Sequence, residues 1–290
     1  MLFALRARFL VSVPVALWRV SSRGEHRAAA AARILMFHGT PRRDARDIER
    51  QLAYLARRYE IAPLEALAKG EKPGAVALTF DDGLRNNIEV AYPILRRLGI
   101  PATFFVCPAL VDEGRWIWTH EARARLRALG SDAVTVESLV QQMKRMDLQT
   151  RRAVEQRLRE ETPQYRPSAA EREAFDVATW AEISGLDPAL VTVGSHTLTH
   201  PILTTLTEAE AEREICESRA QLEARLGRPV EVFCYPNGDL DAAAVSLARR
   251  TYRLAVTAEP GVVPPGCDPL LLPRLAAPRG LLRLAWQLSP

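Results

Sequence analysis

From residue 33 onward, short apolar runs alternate with amphipathic stretches. Ile34-Leu35-Met36-Phe37 predicts a strand, and residues 48–59, with Ile48, Leu52 and Leu55 on one face, predict a helix. Ala75-Val76-Ala77-Leu78 reads as a buried strand. Residues 87–98 read as a helix closed by Gly99 and followed by Pro101. Ala102-Thr103-Phe104-Phe105-Val106, Val191-Thr192-Val193, residues 230–235 and residues 254–257 predict further strands. Thr207 caps a long predicted helix at residues 208–226, which Gly227 ends. Such alternation argues for an α/β fold, a parallel barrel or sheet with helices outside.

Residues 114–176 break the pattern. They are rich in Arg, Glu, Gln and Ala and predict helices, with loops around Gly130-Ser131 and residues 162–167. Both flanks are needed to complete the β/α order, so this stretch is expected as an insertion within one domain spanning residues 33–280. Residues 281–290 are expected as a tail.

The N-terminus offers two readings. Residues 9–18 are apolar apart from Ser12 and follow Arg6 and Arg8, as in a secretory signal. Against that, Pro14 interrupts the run, Arg19, Arg23 and Arg27 follow, and no small-x-small cleavage site comes promptly after Trp18. The run is also about half the roughly 20 residues a spanning helix needs. Residues 1–32 are therefore expected as a retained helical or interfacial segment, with residues 1–20 touching a membrane from the cytoplasmic side. The alternative is export, with a mature chain beginning near Ala32.

A hydrophobic fraction of 48% and a charged fraction of 26% fit a globular chain of 290 residues. The net charge of +4 comes almost wholly from arginine, the only lysines being Lys69, Lys72 and Lys144. Acids interleave the basic residues in stretches such as 155–172, and no basic tract is interleaved with aromatics. That argues against nucleic acid and leaves an anionic substrate or membrane surface open. The four cysteines show no Cys-x-x-Cys spacing. Cys107 ends an apolar run and Cys234 lies inside one, so buried free thiols are expected rather than a disulfide framework.

Two strings carry chemistry. Thr79-Phe80-Asp81-Asp82-Gly83 places adjacent carboxylates at the end of an apolar run. Ser195-His196-Thr197-Leu198-Thr199-His200 places two of the chain's five histidines four residues apart. One carboxylate and two imidazoles leave positions open on a divalent metal, as catalytic sites require. The other carboxylate is free to act as a base on water. Singly, the first string is an ordinary turn and the second an ordinary histidine pair; together they point to a metal-dependent hydrolase.

Thr79–Gly83 and Ser195–His200 also resemble the first two motifs of the polysaccharide deacetylases, carbohydrate esterase family 4 with its nodulation-type homology domain. The resemblance spans residues 34–278. It implies a distorted (β/α) barrel of seven to eight strands that removes acetyl groups from N-acetylated sugars. It implies Asp81 as general base, and Asp82, His196 and His200 as ligands of a divalent metal, usually zinc. Trp116 and Trp118, at the start of the insertion, would then stack on sugar faces if exposed at the barrel mouth, or else pin the insertion to the barrel.

Phe233-Cys234-Tyr235-Pro236-Asn237-Gly238 resembles the family's third motif, which contributes oxyanion and substrate contacts through a turn. That role falls here to Tyr235 and Asn237; it needs only an N–H, so Asn237 in place of the usual Tyr is tolerated. The arginine that commonly precedes this turn is missing. Arg274, in Leu272-Pro273-Arg274-Leu275, is the candidate to pair with Asp81 and hold it ionised, or else a structural ion-pair partner. The late family histidine is also missing. His38, in Leu35-Met36-Phe37-His38-Gly39, resembles the first-strand histidine of the circularly permuted branch acting on poly-N-acetylglucosamine, where it protonates the leaving amine. His26 and His120 are expected at the surface. Small linear or cyclic amides as substrates, or an inactive sugar-binding protein, are the alternatives; the presence of both Asp81 and His38 argues against the latter.

Overall fold

Residues 31–289 are described here from a computed structural model, so the expectations for residues 1–30 lie outside the described residues. Seven parallel strands form a closed barrel: β1 Arg33–Phe37, β2 Val76–Phe80, β3 Ala102–Val106, β4 Val191–Ser195, β5 Val232–Cys234, β6 Leu254–Pro260 and β7 Leu272–Ala276. β1 pairs with β2 on one side and closes on β7 through Leu35 to Leu275 and Met36 to Ala276.

Alternation along the strands sorts the core into two layers. Ile34, Ala77, Phe105, Val232, Cys234, Val256 and Leu272 form one buried cluster inside the barrel. Their strand neighbours, among them Leu35, Leu78, Phe80, Phe104, Val193 and Phe233, pack outward against the helices. Every residue of β2 and β3 is buried, which is why those segments read as unbroken apolar runs. Phe105 fills the interior so fully that a Cβ on Gly194 would lie 2.6 Å from its ring and 3.0 Å from the Val232 carbonyl oxygen. Glycine is required at that point of β4.

Two predicted helices are not continuous. Residues 87–98 begin with a π-helical turn, Asn87–Ala91, and residues 208–226 contain another, Arg213–Glu217. Each widened turn carries a side chain that holds a site loop. The insertion consists of helices Trp118–Ala128, Ala133–Met143, Leu148–Glu161 and Ala169–Phe175, with a small core of their own around Trp118, Val140 and Leu158. Asp132, Asp147 and Ser168 cap the last three. Where the chain returns to the barrel, Ala178 N–H donates to the Gly83 carbonyl and Leu84 bridges to Val177.

The C-terminal residues correct the expected tail. Leu281–Leu288 is a helix that buries Leu284, Ala285 and Leu288 beside the Ala45–Arg58 helix. Gln51 Nε2 donates to the Pro278 carbonyl, and Asp47 accepts from Gly280 N–H, anchoring its approach. Cys107 and Cys234 are buried free thiols, whereas Cys216 and Cys267 are only half-buried. Among the described residues no helix is long and apolar enough to cross a membrane.

Candidate metal centre and catalytic cavity

The alternation that points Ala77 and Thr79 inward carries on to Asp81. On β5 it turns Cys234 inward and on β7 Arg274. A cavity of about 340 Å³ at this end of the barrel is lined by Asp81, Asp82, His196, His200 and Arg274, with His38 just past the end of β1. The two sequence strings and Arg274, which closes the far side of the barrel, thus meet in one place.

Asp81 is almost fully buried and bound on both oxygens by Arg274, Nη1 to Oδ1 at 2.7 Å and Nη2 to Oδ2 at 2.8 Å. Arg274 spends Nε on the Thr257 carbonyl and shares Nη1 with Thr79 Oγ1, so its plane is fixed. Burial raises the Asp81 carboxyl pKa. The charge and paired hydrogen bonds of Arg274 overturn that, and the group lies below the usual carboxylate range.

Asp82 follows in a left-handed conformation at φ 74°, which turns its carboxylate toward the histidines. Its Oδ1 lies 3.6 Å from His196 Nε2 and 3.5 Å from His200 Nε2. These separations are too long for hydrogen bonds. They suit atoms sharing one ion, since ligands about 2.0–2.1 Å from a tetrahedral centre sit on the order of 3.3 Å apart. His196 Nδ1 lies 2.8 Å from the Cys234 carbonyl, which can only accept, so Nδ1 carries the proton and Nε2 presents its lone pair. Burial holds both imidazoles in the neutral, ligating form: His196 is lowered, and His200 falls to about 3 with His196 adding to the effect. The donor set fits a divalent ion.

A second trio, Asp81, His196 and Cys234, also lies close together. It does not fit a cation. Both oxygens of Asp81 are taken by a guanidinium, and burial keeps the Cys234 thiol protonated.

The loop carrying His200 is built to hold an awkward shape. Thr197 and His200 both have positive φ. Glu214, presented by the second π-helical turn, accepts from Thr199 N–H at 2.9 Å and Thr199 Oγ1 at 2.6 Å. Trp118 Nε1 donates to the His200 carbonyl at 3.0 Å. On the other side, Asn87 of the first π-helical turn accepts from Thr40 Oγ1, fixing the loop after His38. Among the described residues, the non-glycine positions with positive φ are Asp82, Thr197, His200 and Asn237, all within the three motif segments. Strain gathered this way marks a functional site.

Several sequence expectations need revision. Tyr235 borders the cavity, but it follows inward-facing Cys234, so its ring packs outward with Phe233 and its hydroxyl is buried without a partner. Of that turn, Tyr235 N–H bonds the Val256 carbonyl and Gly238 N–H the Tyr235 carbonyl, so Asn237 N–H, not Tyr235 N–H, is the candidate amide donor. Asn237 Oδ1 accepts from Lys144 Nζ at 3.1 Å, a contact from the insertion that no local pattern signals. Trp116 and Trp118 are buried, at 7% and 3% exposure, because their indole N–H groups bind Asp176 and the His200 carbonyl; they pin the insertion. His120 is half-buried rather than on the open surface. It lines the cavity, stacked on Phe175 at 4.4 Å, and only its tertiary placement reveals it.

Comparison with known proteins bears on the family and the fold. The family model for polysaccharide deacetylases matches residues 68–254. YxkH of Bacillus subtilis (strain 168), named for that family, is 21% identical over 207 residues, covering 69% of this chain and 52% of its own; the chain thus matches about half the length of that curated relative. Among solved structures, the Streptococcus pyogenes deacetylase PplD in complex with acetate aligns with a TM-score of 0.63 at 19% identity, over 90% of this chain and 99% of that one. IcaB from Ammonifex degensii aligns with a TM-score of 0.62 at 19% identity, over 90% and 98%. At these identities the structural likeness speaks for the fold.

Proposed function

The chain belongs to the polysaccharide deacetylase family, and from that premise we propose that it removes acetyl groups from the N-acetylated sugars of a glycan or glycan precursor, using a divalent ion, zinc by preference. The observation that carries this reading is the pairing of two unlike carboxylates in one cavity. Asp81 is locked to Arg274, and Asp82 is turned to two neutral imidazoles.

Asp82, His196 and His200 would hold the ion, which when bound supplies Lewis acidity to the acetyl carbonyl and to the attacking water. Asp81 accepts the proton from that water. Arg274 makes it a weak base but guarantees that it is ionised, a suitable arrangement for a water already acidified. The Asn237 amide donates to the carbonyl oxygen as negative charge develops there. His38, which lines the same cavity, delivers a proton to the departing nitrogen. An amine leaves poorly as an anion, so this second proton transfer is what makes the site suited to amides.

An acetate-release screen tests the proposal, run on chitin oligomers, poly-N-acetylglucosamine fragments, lipid-linked acetamido sugars, and small linear and cyclic amides. Acetate from the sugar substrates, abolished by chelation and restored by zinc, is expected. Turnover confined to the small amides would overturn the substrate assignment.

A further inference from the structure

His120 stands in the cavity without a part in the chemistry above. Building on the metal-dependent reading, we propose that His120 is a positioning residue whose Nε2–H holds the outer oxygen of Asp82, so that the helical insertion completes the metal centre.

Oδ1 of Asp82 faces both ligand imidazoles, and Oδ2 faces His120, with 4.0 Å between Oδ2 and Nε2. Among the described residues no hydrogen bond reaches either oxygen of Asp82, although the residue is 5% exposed. Its neighbour Asp81 is bound on both. A buried carboxylate without a donor is costly, and one that binds an ion through a single oxygen needs its other oxygen oriented. His120 is the donor placed to do it. The gap is about 1 Å longer than a hydrogen bond, and a small shift of the Asp82 carboxylate toward the stacked ring closes it.

The ring is itself held in place. It stacks on Phe175 at 4.4 Å and 16°, and Phe175 meets Trp116 edge-on at 5.4 Å. Trp116 is fixed through Nε1 to Asp176 at 2.8 Å. The helix bearing His120, Trp118–Ala128, is tied to the metal loop by the bond from Trp118 Nε1 to the His200 carbonyl. One short helix therefore touches two of the three candidate ligands. His120 is not itself in the cluster of atoms close enough to share the ion, which comprises Asp82, His196 and His200. Its role runs through Asp82.

The test is zinc affinity of the full chain, stripped of metal and titrated against a competing chelator, with no substrate present. Partners of this outer kind change metal affinity by about 10–100-fold. His120→Ala should weaken zinc by that amount, and His120→Gln, which retains a donor of similar reach, should recover most of it. The melting temperatures of the metal-free variants should match wild type. Unchanged affinity in His120→Ala overturns the proposal. So does an equal loss in the alanine and glutamine variants, which would mark a packing role. A wild-type chain that binds no divalent ion would instead overturn the metal-centre reading, a distinct outcome of the same titration.

Discussion

Arg274 and Asp81, 193 residues apart in sequence, share two parallel hydrogen bonds of 2.7 and 2.8 Å inside the barrel. The guanidinium decides the charge state of this proposed base, because burial alone would drive Asp81 toward the neutral acid. Arg274→Gln should therefore raise the carboxyl pKa and move the acid limb of the pH–kcat/KM profile to higher pH. Breaking one side of a buried pair should also destabilise the protein by about 3–5 kcal/mol. Denaturant melts and a pH–rate series check the two effects separately; an unmoved acid limb would remove Arg274 from the catalytic account.

Asp81→Asn retains the shape and loses the base. Deacetylation should fall at least about 100-fold, the ordinary scale of general base catalysis. Zinc binding should persist if Asp82 is the ligand, as proposed. Metal content and turnover of the purified variant show whether the two adjacent carboxylates have been given the right roles.

His200→Ala removes a candidate ligand whose Nε2 lies 3.5 Å from Asp82 Oδ1. Stoichiometric zinc and activity should be lost together. Tight metal binding retained in this variant would rule out the Asp82, His196 and His200 set.

His38→Ala should bind metal normally and lose activity most severely on amides. An activated acetate ester carries a leaving group that departs without protonation, so its hydrolysis should suffer less. The ratio of amide to ester turnover, compared between wild type and variant, is the measurement. An equal drop on both substrates means that His38 does not protonate the leaving nitrogen.

The metal-free protein should lose stability on mild acidification. His200 titrates near 3 in the folded state, against about 6.5 when exposed, because burial opposes its charge. Between those values only the unfolded chain binds the proton, so stability is fully present above about pH 6.5 and falls as pH drops toward 3. From pH 6.5 to 5 this group alone accounts for about 2 kcal/mol, with His196 shifted in the same direction. Asp81 and Asp82 are lowered below the carboxylate range, so their contribution is lost only at still lower pH. Thermal melts across that range should show the decline, and His200→Asn should flatten it.

The sequence by itself determined six of the seven strands, the helical insertion and the two strings that supply the candidate ligands, whereas β7 and the C-terminal helix were not legible in it. Apolar runs and caps are local signals, and the ligand strings sit at strand ends, where alternation already aims a side chain inward. The residues that complete the site depend on closure of the barrel. Arg274 was a candidate partner from its position in the chain, but only the pairing of β1 with β7 brings β7 round so that its inward face meets Asp81. The Cys234 carbonyl fixes a tautomer on His196 because β4 and β5 are neighbours. His120, Lys144 and the buried indoles lie in helices whose local pattern describes only their own packing. What they touch is decided by where the insertion lands on the barrel. Burial then sets the chemistry: without desolvation and Arg274, the paired carboxylates and imidazoles would titrate as ordinary surface groups.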